Sequence, residues 1–381
     1  FSFTMAGWAE LPNGLIVNIA NRVKVIEDFI AFRAVCTSWR ISTMKEDFDV
    51  LLPQVPLLML GAKDEDYREF YSLTKKKVSR IFLPEARGSE CLPSEGWLCT
   101  VVNDTGEMNL LHPFSREKIQ LPSRKALLTF HDLAALDGHC WRCIERAVLS
   151  ANPSLTSDYV LMVHHCSPSS RLAFWRPGDL DWTHIDVVNY SGIAALIYHK
   201  GQFYSMSYFG EVRAYRVALR NTTDQPMVQI RILAEMHYIQ GNLPDVQYYF
   251  VELSGALLLV SRFGSITFDD DGNSIFYTFK FEVSELDVIR GKLKKEMKTL
   301  GDSSIFLGRN WATCLDSSKF NGIKPNHIYF TDDGFEYDRD VEGGGVGRDM
   351  GAYNLEDEEI ESFYPGQSTS LICPPAWVIP S

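Results

Sequence analysis

The feature that most constrains the fold is a series of short strand-like segments that runs from Pro56 to the C-terminus. Apolar, aromatic and β-branched residues are grouped there in short runs, separated by Gly, Asn, Asp and Pro. A recurrent unit consists of a strand, a turn ending in Gly and a second strand, as in HKGQFYSM, LSGALLLV and DTGEMNLL. Units of about 45–55 residues return about six times. The pattern predicts a mainly β, antiparallel domain.

An antiparallel chain of this length must hide its edge strands, and radial repetition of small sheets does so. We therefore predict a β-propeller of six blades. Two packed β-sandwiches are the alternative, because the repeats show neither a double-glycine kelch signature nor a WD dipeptide. The predicted strands include Trp97–Val102, Ile193–Tyr198, Gln202–Ser207 and Ser304–Leu307.

The segment Trp8–Glu46 has a helical period instead, and it predicts three short helices. One apolar stripe recurs every four residues, at Leu11, Leu15, Ile19 and Val23. Pro12 suits the first turn of that helix, Asp28 is the expected N-cap of the second, and Ser38 that of the third. A second apolar series follows Asp28, at Phe29, Phe32, Val35 and Trp39. About 40 residues are too few for an independent core, so this unit needs a partner to cover its apolar face.

These residues closely resemble an F-box, the module that docks onto a Skp-type adaptor in cullin-based ubiquitin ligases. The resemblance rests on the Leu11–Pro12 pair, Leu15, Ile19, the Asp28–Phe29 start and the FRAVCxSWR run at residues 32–40. An ordinary helical cap on a larger domain is the alternative. The resemblance implies a set of adaptor-binding residues: Trp8, Leu11, Pro12, Leu15, Ile19, Phe29, Val35, Cys36 and Trp39.

The chain beyond the F-box-like segment is similar to the plant family known as domain of unknown function 295. The similarity rests on KPNHIYFTDD from Lys324, GAYNLED from Gly351, the closing PPAWVIPS, and the earlier HPFSREKIQLP run. That family commonly places a kelch-like β-propeller after an N-terminal F-box. The expected organisation is an F-box over residues 5–50, a Leu- and Pro-rich linker over 51–60 and a kelch-like propeller over 61–381.

Composition excludes several function classes. The net charge of −12 argues against a nucleic-acid partner, which requires clustered Lys and Arg. Apolar runs such as Ala256–Val260 are far too short to span a bilayer, so no membrane partner is expected. Twelve acidic residues and two arginines lie between Asp332 and Glu361. This acidic stretch predicts either a solvated loop or a rim that favours a basic partner. The basic run Arg290–Lys298 predicts an exposed helix or a long excursion between strands, and a contact for an acidic partner surface is the alternative.

The motifs that suggest a metal, calcium or phosphate site lack the spacing or the partner residues that such a site needs. The Cys140–Cys143 pair, with His131 or His139 nearby, lacks the second pair of a structural zinc site. Asp269–Asn273 lacks the glycine and glutamate spacing of a calcium loop, and Gly343–Gly347 lacks the ending of a phosphate loop. His164 and His165 are strand neighbours that face opposite sides, so they do not share one metal. We therefore predict no cofactor, no metal and no catalytic residue. The eight cysteines are dispersed along the sequence, which indicates reduced thiols, as is typical of proteins in the cytoplasm or nucleus.

The resemblance implies a non-catalytic substrate-recognition subunit of an SCF-type ubiquitin ligase. Its partners would be a Skp-type adaptor, through it a cullin and a RING protein, and an unidentified target protein on the propeller. Two alternatives stay open: a propeller that acts as an enzyme or binds a small molecule, and an F-box scaffold that does not degrade its partners.

Overall fold

The computed structural model describes residues 7–44, 48, 52–61, 65–128, 144–165, 170–185, 192–218, 228–235, 245–268, 274–332, 349–366, 368, 370 and 373–380. The chain divides into a small unit, Phe1–Pro56 with Ile379–Ser381, and a large unit, Leu57–Val378. No helix within these described ranges combines the length and the apolar character needed to cross a membrane.

The small unit contains the three predicted helices. A short 3-10 turn at Trp8–Glu10 precedes α1, and the helices are α1 Asn13–Ala20, α2 Ile26–Arg33 and α3 Thr37–Ser42. An apolar cluster formed by Ala20, Ile26, Phe29 and Phe48 joins α1, α2 and the residues after α3. The rings of Phe29 and Phe48 are 5.2 Å apart, which places this contact at the centre of the unit.

The predicted first-turn residue of α1 and the predicted caps of α2 and α3 are wrong. Pro12 precedes α1 instead of occupying its first turn, and its carbonyl oxygen accepts the N–H of Leu15 at 2.9 Å. Asp28 lies inside the first turn of α2, where its carboxylate favours the positive end of the helix dipole without capping it. Ser38 lies inside α3, which follows Cys36 without a side-chain cap.

The large unit consists of six sheets, so the predicted six-bladed propeller is confirmed. Blade 1 contains β1 Leu57–Met59, β2 Tyr67–Ser72, β3 Lys77–Phe82 and β25 Ala376–Val378; blade 2 contains β4 Ser89–Ser94, β5 Trp97–Val102, β6 Met108–Leu111 and β7 Lys118–Gln120. Blade 3 contains β8 Ile144–Leu149, β9 Leu161–His165, β10 Arg171–Trp175 and β11 Thr183–Ile185; blade 4 contains β12 Ile193–His199, β13 Gln202–Ser207, β14 Glu211–Val217 and β15 Val228–Glu235.

The last two blades are larger. Blade 5 contains β16 Asp245–Leu253, β17 Ala256–Phe268, β18 Ser274–Asp287 and β19 Lys292–Met297. Blade 6 has five strands: β20 Ser303–Leu307, β21 Ala312–Asp316, β22 His327–Phe330, β23 Gly351–Asn354 and β24 Ile360–Glu361. In this blade β20 pairs with β22 in parallel, so the expectation of a purely antiparallel domain is wrong there.

The core of the propeller lies between its blades. The inner strands contact one another in sequence, from β25 through β4, β8, β12 and β16 to β21. The largest apolar cluster joins blades 2 and 3, with Trp97 and Leu149 both almost completely buried. Corresponding clusters join blades 1 and 2, 3 and 4, 4 and 5, and 5 and 6. Each blade is therefore stabilised by its neighbours more than by its own small sheet.

The glycine turns noted in the sequence have two different positions. Lys200–Gly201 and Ser254–Gly255 join the first and second strands of their blades, as does Glu95–Gly96. In each pair both residues have positive φ, the geometry of a type I′ hairpin turn, and glycine accepts it without strain. The turn in DTGEMNLL instead joins β5 to β6, the second and third strands of blade 2, so it is not an equivalent repeat position.

Two boundary predictions are also wrong. Leu57–Met59, placed in the linker by sequence, forms β1, because its apolar side chains are buried within blade 1. The basic run Arg290–Lys298 is neither a helix nor an excursion. It contains β19, an exposed strand at the edge of blade 5, in which Lys294 pairs with Glu285.

Blade 1 is closed by the two ends of the propeller chain. Inner strand β25 pairs with β1, with Leu58 opposite Trp377. The Trp377 ring is 1% exposed and packs against the rings of Phe306, at 5.1 Å, and Phe363, at 5.4 Å. The closing strand is thus fixed to blade 1 by backbone pairing and to blade 6 by aromatic packing.

Replacing Trp377 with alanine should open this closure. We expect the Trp377→Ala variant to lose about 3–5 kcal/mol of unfolding free energy, because a large buried ring is replaced by a cavity. The loss would be measured by denaturant unfolding, monitored by far-UV circular dichroism because this signal does not require Trp377. Leu180→Ala is the control, because Leu180 is 99% exposed and its change should be within about 0.5 kcal/mol. Equal midpoints of denaturant unfolding for Trp377→Ala and Leu180→Ala would contradict this account of the closure.

Candidate functional site

Large apolar side chains are concentrated on the surface of the helical unit. Among the described residues, 22 large hydrophobic side chains are exposed, and eight of them lie between Gly7 and Met44. These eight are Trp8, Leu15, Ile19, Val25, Ile30, Val35, Ile41 and Met44. An exposed apolar patch of this density on a small unit is typical of a protein–protein interface.

Helix α1 separates its apolar residues onto two faces. Ile16 and Ala20 are fully buried and pack into the unit. Leu15 and Ile19, one helical turn apart, are 51% and 40% exposed. The middle of the predicted stripe is therefore exposed, whereas Val23 at its end packs against the core of the small unit.

The other predicted adaptor-binding residues divide into exposed and buried groups. Trp8 is 72% and Val35 58% exposed, Pro12 is exposed, and Leu11 and Cys36 are half-buried. Phe29 and Trp39 are only 3% and 8% exposed. The Trp39 ring lies 4.3 Å from that of Phe32, and its Nε1 donates to the Trp8 carbonyl oxygen at 2.9 Å. Phe29 and Trp39 therefore support the exposed residues from inside the unit, and their own side chains are not accessible to a partner.

Gln54 fixes the start of α2, a role that no sequence signal indicated. Its Oε1 accepts the N–H of Ile26 at 3.1 Å, and its Nε2 donates to the Lys24 carbonyl oxygen at 2.9 Å. Helix α2 has no side-chain cap at its own N-terminus, so this buried amide satisfies a backbone group that would otherwise lack a partner. Gln54 belongs to the small unit although the sequence placed it in the linker.

A tight turn crosses the centre of the propeller. It runs from Gly308 to Trp311 between β20 and β21, and the Gly308 N–H donates to the Trp311 carbonyl oxygen at 3.0 Å. The Asn310 side chain donates to the carbonyl oxygens of Pro93, at 2.6 Å, and Ala147, at 2.8 Å, and accepts the Ala147 N–H at 2.7 Å. One buried amide thereby joins blade 6 to the inner strands of blades 2 and 3.

Arg309 adds a charged contact beside Asn310. Its Nη1 donates to Glu90 Oε1 at 2.8 Å, and both side chains are largely buried. The open space left next to this turn is a shallow depression of about 240 Å³, including the solvent at its mouth, lined by Arg146, Ala194–Leu196, Tyr248–Phe250 and Gly308–Ala312. The turn therefore occupies the position where a propeller enzyme would hold a small substrate.

His164 is a buried base on β9 of blade 3. Burial lowers the pKa of His164 to about 3, although the carboxylate of Glu145 opposes the shift. Its Nε2 is 2.8 Å from Ser170 Oγ, and its Nδ1 is 3.4 Å from Glu145 Oε2. His165 is also fully buried. No group of three metal-binding side chains occurs among the described residues, and His164 is a neutral structural residue at ordinary pH.

The remaining sequence motifs are outside the described residues or have other partners. The Cys140–Cys143 pair, the Asp269–Asn273 run and the Gly343–Gly347 run lie outside the described ranges. Parts of the acidic stretch are described at its two ends. Asp349 accepts from the buried Arg262 at 2.7 Å, whereas Glu356–Glu359 form an exposed turn.

The propeller matches a known family model. Residues 70–354 match the model described as the KIB1-4 beta-propeller. The chain belongs to the KIB1-4 β-propeller family. The resemblance to domain of unknown function 295 and the kelch-like label remain predictions beside this finding.

Full-length relatives are plant F-box proteins by name. At1g65770 of Arabidopsis thaliana, provisionally named an F-box protein, is 26% identical over 353 residues, covering 86% of this chain and 90% of its own length. F-box protein At4g35733 of Arabidopsis thaliana is 22% identical over 352 residues, covering 85% of this chain and 89% of its own. The helical unit fits the F-box that these names indicate.

Replacing Asn310 should loosen the centre of the propeller. We expect Asn310→Ala to cost at least about 2 kcal/mol of unfolding free energy, because buried backbone groups of Pro93 and Ala147 lose their partner. Hydrogen exchange at the Ala147 amide should become faster. The Leu149 amide donates to Ser94 Oγ at 2.9 Å instead, so it is the internal control and should stay protected. Unchanged exchange at Ala147 would show that the amide does not hold the blades.

His164 should make the propeller sensitive to acid. Below pH about 6.5 the unfolded chain binds a proton on this imidazole, while the folded protein does not until the pH is near 3. Stability from this group is therefore complete above pH 6.5 and is lost as the pH falls, by up to about 1.4 kcal/mol per pH unit. Unfolding measured from pH 7 to 4 should show a shallower loss for His164→Gln than for wild type. Equal pH slopes in the variant and the wild type would contradict this account of His164.

Proposed function

We propose that this protein is a substrate-recognition subunit of an SCF-type ubiquitin ligase. The observation that carries the proposal is the outward apolar stripe of Leu15 and Ile19 on a helical unit that fits an F-box. Helix α1 can place that stripe against an apolar groove of a Skp-type adaptor, with Trp8 and Val35 as further exposed anchors. The adaptor would connect the chain to a cullin and a RING protein.

The propeller would hold the target protein. A rigid ring with loops at both ends is a common scaffold for protein recognition, because loops vary while the blades do not. In this arrangement the chain performs no covalent chemistry. Ubiquitin transfer is accelerated because the target lysines are held near the charged conjugating enzyme.

The propeller geometry favours a binding role over an enzymatic one. A small-molecule site in a propeller needs an open central cavity with convergent polar groups. Here the Gly308–Trp311 turn crosses the centre, and the hydrogen bonds of Asn310 are directed to backbone groups of neighbouring blades. His164, whose pKa burial lowers to about 3, is directed to Ser170 and Glu145.

Charged residues on α1 should abolish adaptor binding. We expect Leu15→Asp with Ile19→Asp to weaken binding to a purified Skp-type adaptor at least about 100-fold, roughly 3 kcal/mol, because two carboxylates would be desolvated without partners. Both positions are exposed in the free protein, so folding should be unaffected. Binding would be measured by surface plasmon resonance with the full chain.

A propeller variant provides the matched control for this measurement. Leu180→Asp changes an equally apolar, 99% exposed side chain outside the helical unit and should bind as wild type. Wild-type affinity in the Leu15/Ile19 double variant would refute docking through α1. Target abundance with and without a proteasome inhibitor would separate a degrading receptor from a scaffold.

A further inference from the structure

Two cysteines that are distant in sequence meet beside the ring closure. Cys91 lies on β4 of blade 2, and Cys373 lies just before the closing strand β25. They are 282 residues apart, yet Cys373 Sγ is 3.9 Å from the Cys91 carbonyl oxygen. Both side chains are buried, at 4% and 1% exposure, and belong to the same apolar cluster between blades 1 and 2.

A buried guanidinium accompanies the two thiols. Arg68 on β2 is only 2% exposed, and its Nη2 lies 3.9 Å from Cys91 Sγ. The same nitrogen donates to the Ala86 carbonyl oxygen at 2.6 Å. Its Nε and Nη1 have no hydrogen-bond partner among the described residues. A buried cation with unused donors requires a compensating anion close by.

Sulfur can provide that anion. The hydrogen bond from Cys91 lowers the pKa of Cys373 to about 7, and the charge of Arg68 acts in the same direction. The shared hydrogen bond raises the pKa of Cys91, so the proton stays on Cys91. Glu90, the nearest carboxylate on β4, is already paired with Arg309. Cys373 is therefore the thiol of this pair with thiolate character, which is the reactive form of cysteine.

We propose that Cys91 and Cys373, with the Arg68 guanidinium beside Cys91, are a reversible oxidation site that closes to a disulfide in the presence of hydrogen peroxide. The Cys373 thiolate attacks one peroxide oxygen, the O–O bond breaks, and the released hydroxide takes a proton to become water. Cys91 then attacks the sulfenic sulfur of Cys373, and the S–O bond breaks. The hydroxide that leaves takes the Cys91 proton as a second molecule of water. One peroxide is reduced, two thiols are oxidised, and a dithiol reductant reverses the change.

The disulfide would lock the propeller ring covalently. It would join the inner strand of blade 2 to the segment that leads into β25, the strand that pairs with β1 in the unmodified protein. A cross-link between residues so far apart in sequence restricts the unfolded chain strongly. Oxidation should therefore stabilise the closed ring.

Peroxide titration of the full chain tests this proposal. Reduced protein, freed of reductant, is exposed to graded hydrogen peroxide, alkylated, digested and examined by mass spectrometry. We expect a cross-linked peptide that contains Cys91 and Cys373, and a Tm several degrees higher that returns to its original value with dithiothreitol. Cys99 and Cys314 are internal controls, because burial raises their pKa to about 12 and about 11, and both should remain alkylatable.

Variants separate the role of Arg68 from simple proximity. Arg68→Gln should raise the peroxide concentration needed for half oxidation on the order of tenfold, because the thiolate loses its counter-charge. Arg87→Gln is the matched control, since Arg87 is 54% exposed and pairs with Asp66. If Arg68→Gln does not fold, Cys373→Ser provides the test, and Cys91 should then stay alkylatable. The proposal is overturned if both thiols remain alkylatable after Cys36 is oxidised, or if either pairs with a different cysteine.

Discussion

The pairing of β25 with β1 is the contact on which the propeller depends. Five blades are continuous in sequence, but blade 1 is complete only when a three-residue strand from the C-terminal end occupies its inner position. Neighbouring contacts reinforce this short pairing. The Gly61 N–H donates to Ser368 Oγ at 2.7 Å, and the Tyr71 hydroxyl donates to the Phe363 carbonyl oxygen at 3.1 Å. Because the blades are stabilised mainly by each other, loss of one contact at the closure would weaken every blade interface.

The centre of the ring is held by a second constraint, the amide of Asn310. Its bonds to Pro93 and Ala147 connect strands that belong to three different blades. An amide is suited to this position because it donates and accepts at once, and no charge has to be buried. The consequence for function is a rigid platform whose centre is occupied. In the proposed role, the loops and the outer surfaces would bind the target protein.

Local signals in the sequence predicted the elements well, and long-range contacts explain what they missed. Trp97–Val102 and Gln202–Ser207 were predicted with the bounds that the structure has, because alternation and glycine turns are local properties. The parallel pairing of β20 with β22 could not be predicted, because β21, which lies between them in sequence, pairs with the opposite edge of β20. Gln54, Arg68 and Asn310 also gave no signal, because each acts on backbone or sulfur atoms far away in sequence. For the helical unit the stripe of Leu15 and Ile19 was evident, but the burial of Trp39 depended on packing against Phe32.

The closure also sets an order for synthesis of the chain. Strand β1 leaves the ribosome long before β25, and about 320 residues separate them, so at roughly 5–20 residues per second blade 1 waits on the order of 16–64 seconds for its inner strand. During that time β1 presents an unpaired apolar edge to other nascent chains. Chaperone protection of that edge would then limit the yield of folded protein in the cell. The yield of folded protein should therefore depend on when the last strand pairs with β1 as much as on how the first blades fold.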